Sequence, residues 1–376
     1  MERRFFLLTS WLGALATPGV LMAQSPPPRS ERNGEVLPVL QRGVNLSHWF
    51  AQAQSAHGPL TAADVALIRR LGFDHTRLPV DPAPLFTPSN AEMVQPDRLQ
   101  ELERAIRIII DADLAVIIDM HPTSEFKKAL ARDDGQVALF ANFWRALAGR
   151  FAALPVERIV FEILNEPEFE DRYRWSGVQA KLLASIRQAA PQHTVIVSGH
   201  GWAGIEELLN LEPFRDPKVV YNFHFYLPLI FTHQGATWGR PFWRTLGTLP
   251  YPSSPENVAP VVSGLIDDVP RLLVIRYGHE QWNGARIRAE IQAVAGWAKQ
   301  RNVRVMCNEF GVYRRVAPAT DRVRWIADVR TALQMHGIGW TMWDYAGGFG
   351  LVTKQAGQIV VDEAVVSALG LRADAN

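Results

Sequence analysis

The sequence of 376 residues has a single cysteine, Cys307, and no excess of charge of either sign. One thiol cannot close an intramolecular disulfide or build a multi-cysteine zinc site, so packing has to stabilise the fold. The 39 basic side chains are balanced by 38 acidic ones, which leaves a formal net charge of +1. Since a long basic segment is also missing, we expect no nucleic-acid partner, and a neutral ligand is the better expectation.

Apolar residues are plentiful, at 48% of the chain, and there are 12 tryptophans. This apolar fraction excludes the disordered, collagen-like and low-complexity classes, because it suffices to bury a core. A buried tryptophan needs a partner for its indole N–H. We therefore expect some of the twelve to face a ligand.

The first residues are typical of an export signal. Arg3 and Arg4 precede an uncharged stretch, 5–22, that ends in small or polar residues, which predicts a signal peptide over 1–24 and a secreted or periplasmic protein. The paired arginines leave a twin-arginine route open, and the length of the stretch leaves an uncleaved membrane anchor as the alternative. We predict a flexible tether over residues 25–36 and one folded domain over residues 37–376.

Short apolar runs alternate with amphipathic helical patterns along this domain. Eight runs are typical of buried parallel strands, and they cover 39–46, 75–80, 115–120, 159–164, 194–198, 219–225, 303–308 and 339–343. The helical patterns between them cover 61–71, 98–112, 137–151, 177–189, 285–299 and 321–335. This alternation predicts the α/β class and a single (β/α)8 TIM barrel, with a long insertion after strand 6, from 227 to about 283. A doubly wound open sheet is the alternative, although no GxGxxG turn follows the first strand.

Polar or aromatic residues stand at the ends of these predicted strands. In a closed barrel the strand ends converge on one rim, so residues far apart in sequence become neighbours. The candidate site residues selected by this pattern are Arg77, His121, Asn165, Glu166, His224, Tyr226, Glu309 and Trp343.

Two of these residues, Glu166 and Glu309, each end a strongly apolar strand. Paired carboxylates suit glycoside hydrolysis, in which one group gives a proton to the leaving oxygen and the other attacks or stabilises the anomeric carbon. We expect donors around Glu309 to keep it ionised and partial desolvation to keep Glu166 protonated. A lone glutamate at a strand end is more often a surface residue, so the prediction rests on the joint pattern. We expect Glu162 to form a structural pair and Glu168 at most to line the cleft.

The segments RLPV, DMHP, LNEP, HFY, NEFG and WDY, in this order between residues 43 and 350, resemble the family 5 glycoside hydrolases, which act on β-linked polysaccharides. The resemblance implies that Glu166 is the general acid/base and Glu309 the nucleophile of a retaining double displacement. The roles that it implies for the remaining residues are nucleophile contacts for Arg77 and Tyr226, a 2-hydroxyl contact for Asn165, site histidines at His121 and His224, and a sugar platform at Trp343.

The substrate is the open part of this interpretation. We favour an endo-β-1,4-glucanase that is a monomer and needs no metal or organic cofactor, and we keep β-mannanase and β-1,3-glucanase as alternatives. Sugar-stacking subsites are predicted at Trp49, Trp238, Trp243 and Trp282. Two interpretations from other classes are a non-catalytic carbohydrate-binding barrel and a metal-dependent hydrolase on the same fold.

Overall fold

The computed structural model describes residues 39–47, 49–50, 60–85, 96–355 and 358–372. The predicted signal peptide and tether lie outside these residues. Eight parallel strands close into a barrel in chain order, which confirms the predicted (β/α)8 fold. The strands are β1 Arg42–Asn45, β2 His75–Val80, β3 Ala115–Met120, β4 Ile159–Glu162, β5 Thr194–Ser198, β6 Val219–Phe225, β7 Arg304–Phe310 and β8 Gly339–Met342.

Helices cover the outside of the barrel and follow its strands. They are α1 Ala62–Arg70, α2 Pro96–Asp111, α3 Ser124–Arg132, α4 Asp134–Phe151, α5 Arg172–Ala189, α6 Ile205–Leu209, α7 Leu229–Thr232, a 3-10 helix Pro241–Thr245, α8 Pro255–Gly264, α9 Asp268–Glu280, α10 Gly284–Arg301, α11 Ala319–Met335 and α12 Glu363–Ala368. Polar caps define several of their starts. At α1, the Thr61 side chain accepts from the Asp64 N–H, and Asp64 accepts in return from the Thr61 N–H, a capping box. None of the helices in the described ranges has the length and apolar character needed to cross a membrane.

The long insertion after β6 is largely helical. It carries α7, the 3-10 helix, α8 and α9. At α8, Ser254 caps the first turn and Pro255 occupies the first helical position, where its missing N–H has no cost. A second addition, the antiparallel hairpin β9 Val352–Gln355 and β10 Gln358–Val361, follows β8.

Successive side chains on a strand point alternately into and out of the barrel, so the inward side chains of neighbouring strands form layers in its interior. Seven apolar side chains form a separate cluster at the bottom of the barrel: Leu40, Ala115, Ile117, Val160, Ile196, Val220 and Met306. Two residues further along several of these strands the inward positions are polar, as at Asp119, Glu162 and Asn222. These polar side chains lie between the apolar layer and the carboxyl ends of the strands, and they form the base of the candidate site.

Candidate active site

Seven of the eight candidate residues lie at the carboxyl ends of barrel strands or within four residues after them, and Arg77 lies in the middle of β2. The contacts described below link all of them into one cluster. TIM-barrel enzymes place their catalytic groups at this end of the strands.

Arg77 lies at the centre of the polar layer and is completely buried. Its Nε and Nη2 donate to the two carboxylate oxygens of Glu162 at 2.8 and 2.9 Å. Nη1 donates to Glu309 at 2.7 Å and to Asn45 at 3.0 Å, and Nη2 also donates to Asn165 at 2.8 Å. Every N–H of the guanidinium therefore has an acceptor. Burial disfavours the cation, but the surrounding carboxylates outweigh it and raise the pKa of Arg77 further.

Glu309 owes its inward orientation to an irregularity in β7. In the pairing of β6 with β7, Phe223 lies opposite Cys307 and His224 lies opposite Glu309, so Asn308 is an extra residue. A bulge of this kind re-aims the side chains that follow it. Tyr226 donates from its hydroxyl to Glu309 Oε2 at 2.9 Å. Burial and the nearby carboxylates raise the pKa of Tyr226 well above its usual value, which keeps this donor protonated.

Glu166 has a left-handed backbone, with φ of 43°, and about a quarter of its side chain is exposed. His224 Nδ1 lies 3.0 Å from Glu166 Oε1 and 3.6 Å from Glu309 Oε2. Burial favours the neutral acid, but the hydrogen bond and charge of His224, with the charge of Lys127, lower the pKa of Glu166 to about 2.

The expectation that Glu166 is protonated in the free protein is therefore wrong. Burial disfavours the His224 cation, but the carboxylates of Glu309 and Glu166 raise the pKa of His224 above its usual value. With the pKa of Glu166 lowered and the pKa of His224 raised, the proton of this pair rests on the imidazole, and His224 Nδ1 donates to the Glu166 carboxylate.

Asp119, His121 and Asn165 form a chain beside Arg77. His121 Nδ1 lies 2.9 Å from Asp119 Oδ2, and His121 Nε2 lies 3.1 Å from Asn165 Nδ2. Burial lowers the pKa of His121 to about 3, so the ring is neutral, and it donates from Nδ1 and accepts at Nε2. The Asn165 amide is oriented by this contact on one side and by Arg77 on the other.

Trp343 is half-buried and stacks on His121, with ring centroids 5.8 Å apart and planes 19° apart. Of the four predicted stacking tryptophans, Trp243 and Trp282 are buried, with exposed fractions of 8% and 4%. The subsite prediction for these two is therefore wrong, because their rings pack inside the protein. Trp238 is 47% exposed, and Trp49 is half-buried beside Lys354, whose ammonium lies 5.1 Å from its ring.

The strand-end pattern missed several residues that surround the catalytic candidates. Asp119 lies inside β3, and Glu162, the last residue of β4, forms its predicted structural pair with Arg77. Lys127 is buried on α3, 3.6 Å from Glu168 and 5.6 Å from the centre of the Trp202 ring. A lysine that is buried in an amphipathic helix shows no distinctive sequence signal.

Glu166, His224 and Glu309 also form the single group within the described residues that has a metal-like arrangement. One ligand atom from each lies within 4.8 Å of the others. The shortest of these contacts joins His224 Nδ1 to Glu166 Oε1 at 3.0 Å and is a hydrogen bond.

Comparisons with known proteins identify the family of this chain. The sequence model of the cellulase family, glycosyl hydrolase family 5, matches residues 33–348. Endoglucanase C of Acetivibrio thermocellus is 29% identical over 314 residues, which cover 81% of this chain and 90% of that protein. A hyperthermophilic endo-β-1,4-glucanase solved with its substrate has a TM-score of 0.72 at 25% identity, covering 88% of this chain and 97% of its own.

Cellulose synthase subunit Z of Clostridioides difficile shares the fold, with a TM-score of 0.73 at 23% identity, over 88% of this chain and 99% of its own. The family match covers most of the chain, and the barrel carries two glutamates at the carboxyl ends of its strands. The protein therefore belongs to glycosyl hydrolase family 5 and is a cellulase-type glycoside hydrolase.

Proposed function

We propose that the protein is an endo-β-1,4-glucanase that hydrolyses β-glucan chains with retention of configuration. The observation that carries the retaining mechanism is the closeness of Glu166 and Glu309, whose facing oxygens lie within 4.8 Å. Carboxyl groups about 5–5.5 Å apart are typical of retaining glycosidases, whereas inverting ones leave room for water at about 6.5–9.5 Å. The word endoglucanase in the names of the relatives supports the choice of substrate.

In the first step Glu309 attacks the anomeric carbon as the bond to the leaving oxygen breaks, and Glu166 gives that oxygen a proton. The product of this step is a glycosyl ester of Glu309. Water, deprotonated by Glu166, then attacks the same carbon and releases the carboxylate. Arg77 and Tyr226 each donate to one oxygen of Glu309, so the nucleophile is oriented before substrate arrives.

The proton for the leaving oxygen is held by Glu166 and His224 together. In the free protein the low pKa of Glu166 and the raised pKa of His224 leave the pair as an ion pair. A bound sugar excludes water and favours the neutral form of a carboxyl group. We expect substrate binding to transfer the proton from His224 Nδ1 to Glu166 over the 3.0 Å that separates them.

The variant Glu309→Gln tests the nucleophile because it keeps the shape of the side chain and removes its charge. We expect kcat to fall by about a thousandfold or more in a protein that still folds, with a lower melting temperature because Arg77 loses the charge of a buried partner. Glu170→Gln, in the exposed loop after the same strand end as Glu166, is the matched control and should leave kcat unchanged. If Glu309→Gln retains more than a few per cent of activity, Glu309 is not the nucleophile.

Two product measurements test the rest of the proposal. Proton NMR of the first product anomer should show the β form, and an initial α product would exclude retention. Soluble β-1,4-glucan should be cleaved in preference to mannan and β-1,3-glucan, and internal cleavage should lower viscosity before much reducing sugar appears. Faster cleavage of mannan or β-1,3-glucan would replace the proposed substrate.

We further propose that the protein acts outside the cytoplasm. The support is the run of sequence that begins with Arg3 and Arg4 and continues into the uncharged stretch 5–22. Cell fractionation and N-terminal sequencing of the mature protein would test this, and full-length protein in the cytoplasm would contradict it.

A further inference from the structure

Lys127 is a buried lysine beside the loop that carries Glu166. It lies on α3 and is 4% exposed, whereas the next residue, Lys128, is exposed. Long basic side chains usually keep their charge in water. The Lys127 ammonium instead lies 3.6 Å from Glu168 Oε1, and Ser124 donates from Oγ to Glu168 Oε2. This buried ion pair lies close to the catalytic centre, because Glu168 is two residues from Glu166.

The stability of the fold does not account for this ion pair. Two charges lose their hydration when they are buried, and a pair of apolar side chains of similar size would stabilise the protein as well or better. A buried charge is screened little by water and salt, so it acts on charged groups several ångströms away. We propose that Lys127 is a positioning residue for Glu166, whose carboxylate form it stabilises with a fixed buried charge. This inference rests on the proposed function, in which that form of Glu166 deprotonates water in the second step.

Backbone contacts keep the charge of Lys127 and the carboxyl group of Glu166 in a fixed arrangement. Pro167, directly after Glu166, accepts from the Trp202 N–H at 3.0 Å, and Glu168 forms an antiparallel bridge with the loop after β5. The Lys127 ammonium lies 5.6 Å from the centre of the Trp202 ring, close enough for a cation–π contact. The segment that follows Glu166 is therefore held by α3 through the ion pair and by the loop after β5 through its backbone.

Several other charged or titratable groups surround Glu166. Against the effect of burial, the hydrogen bond and charge of His224 and the charge of Lys127 lower the pKa of Glu166. The remaining groups, from other elements, are Arg77, Asp119, His121, Tyr226, His233 and Glu309. Burial lowers the pKa of His121 to about 3 and that of His233 to about 4, so both rings are neutral, and it raises the pKa of Asp119 to about 6. A Lys127 variant retains all of these groups, so its difference from the wild type reports the charge at position 127.

Two variants that change the charge in opposite directions test the inference. Lys127→Met removes a positive charge and should shift both limbs of the pH profile of kcat/KM on soluble β-glucan upward by about half a pH unit, because the pair of Glu166 and His224 then binds protons more tightly. Glu168→Gln removes a negative charge and should shift both limbs downward. Lys127→Arg keeps the charge and should keep the wild-type profile even if the protein is less stable. Lys128→Met, the matched control, removes the same charge from an exposed position and should change neither the profile nor the melting temperature.

The direction of the shifts separates a charge effect from a packing effect. An unchanged profile in Lys127→Met, or a shift of Lys127→Met and Glu168→Gln in the same direction, would overturn the inference. Glu168→Gln keeps the shape of its side chain, so the downward shift can be measured even if Lys127→Met does not fold, and its absence would also overturn the inference. A proton NMR titration of the His224 ring makes the same comparison without turnover: the midpoint should rise in Lys127→Met and fall in Glu168→Gln, and equal midpoints would contradict the proposed role. Hydrolysis of β-glucan by the wild type tests the proposed function separately.

Discussion

Replacing Arg77 with lysine preserves its positive charge and removes the geometry on which the candidate site depends. All five guanidinium N–H groups have buried acceptors, on Glu162, Glu309, Asn45 and Asn165. A lysine ammonium has three donors, so at least two acceptors lose their partner. A buried polar group without a partner costs about 1–3 kcal/mol, which gives a loss of about 2–6 kcal/mol in the free energy of unfolding.

Urea unfolding followed by circular dichroism measures this loss, and kcat on soluble β-glucan should fall with it because Glu309 and Asn165 lose their shared donor. Arg187→Lys is the matched control. Arg187 binds Asp216 at 2.7 Å and the His193 carbonyl at 2.6 Å on the outside of the barrel, so its replacement should cost stability with kcat unchanged. If Arg77→Lys unfolds within about 1 kcal/mol of the wild type and keeps its kcat, the argument from saturated donors is refuted.

Three further predictions concern pH, packing and metal ions. The pKa of Glu166 is lowered from 4.5 to about 2, so its contribution to stability is complete above about pH 4.5 and is lost as pH falls towards 2. The pKa of His224 is raised, so its contribution is complete below about pH 6.5 and is lost as pH rises through the pKa of the folded state. His224→Asn should therefore lose most stability between these limits, and a loss independent of pH in urea titrations would contradict the ion pair. Gly43→Ala should lower the melting temperature, at a cost of about 1–3 kcal/mol in the free energy of unfolding, because its Cβ would lie 2.2 Å from the His75 ring. Gly177→Ala, where a Cβ meets open space, should leave the melting temperature unchanged, and equal melting temperatures for the two variants would contradict the close approach. Activity should survive exhaustive chelation, since the two carboxylates supply the nucleophile and the proton, and a loss that a divalent cation restores would exclude this mechanism.

The strand-end pattern selected residues that the structure brings together, and the reason is how a parallel barrel closes. Every strand runs in the same direction, so residues at the carboxyl ends share one rim whatever their separation in sequence. Arg77 and Glu309 are 232 residues apart, yet Nη1 and Oε1 lie 2.7 Å from each other. Apolar runs and helical periodicity were sufficient to locate all eight strands, and the convergence of their ends follows from that topology.

The polar layer below the rim could not be found in this way. Asp119 lies within β3 and Glu162 ends β4, and a charged residue among apolar ones gives no sign of its partners. Only the register, which sets Asp119 opposite Glu162, brings both carboxylates to Arg77. Several carboxylates around one guanidinium are acceptable in the interior because each accepts hydrogen bonds there. Their arrangement is a property of the packed barrel rather than of any segment.

The inward orientation of Glu309 could not be predicted from the pattern of residues in its strand. Met306 belongs to the inward apolar cluster and Cys307 to the outer core, so strict alternation would turn Glu309 outward with Cys307. The extra residue, Asn308, reverses this, and no glycine or proline marks the bulge. The contacts of His224 also depend on the packed barrel, since its Nδ1 lies 3.0 Å from Glu166 Oε1 and 3.6 Å from Glu309 Oε2. Residue types thus indicate which groups can meet, whereas the register of the strands and this single extra residue decide which side chains face the site.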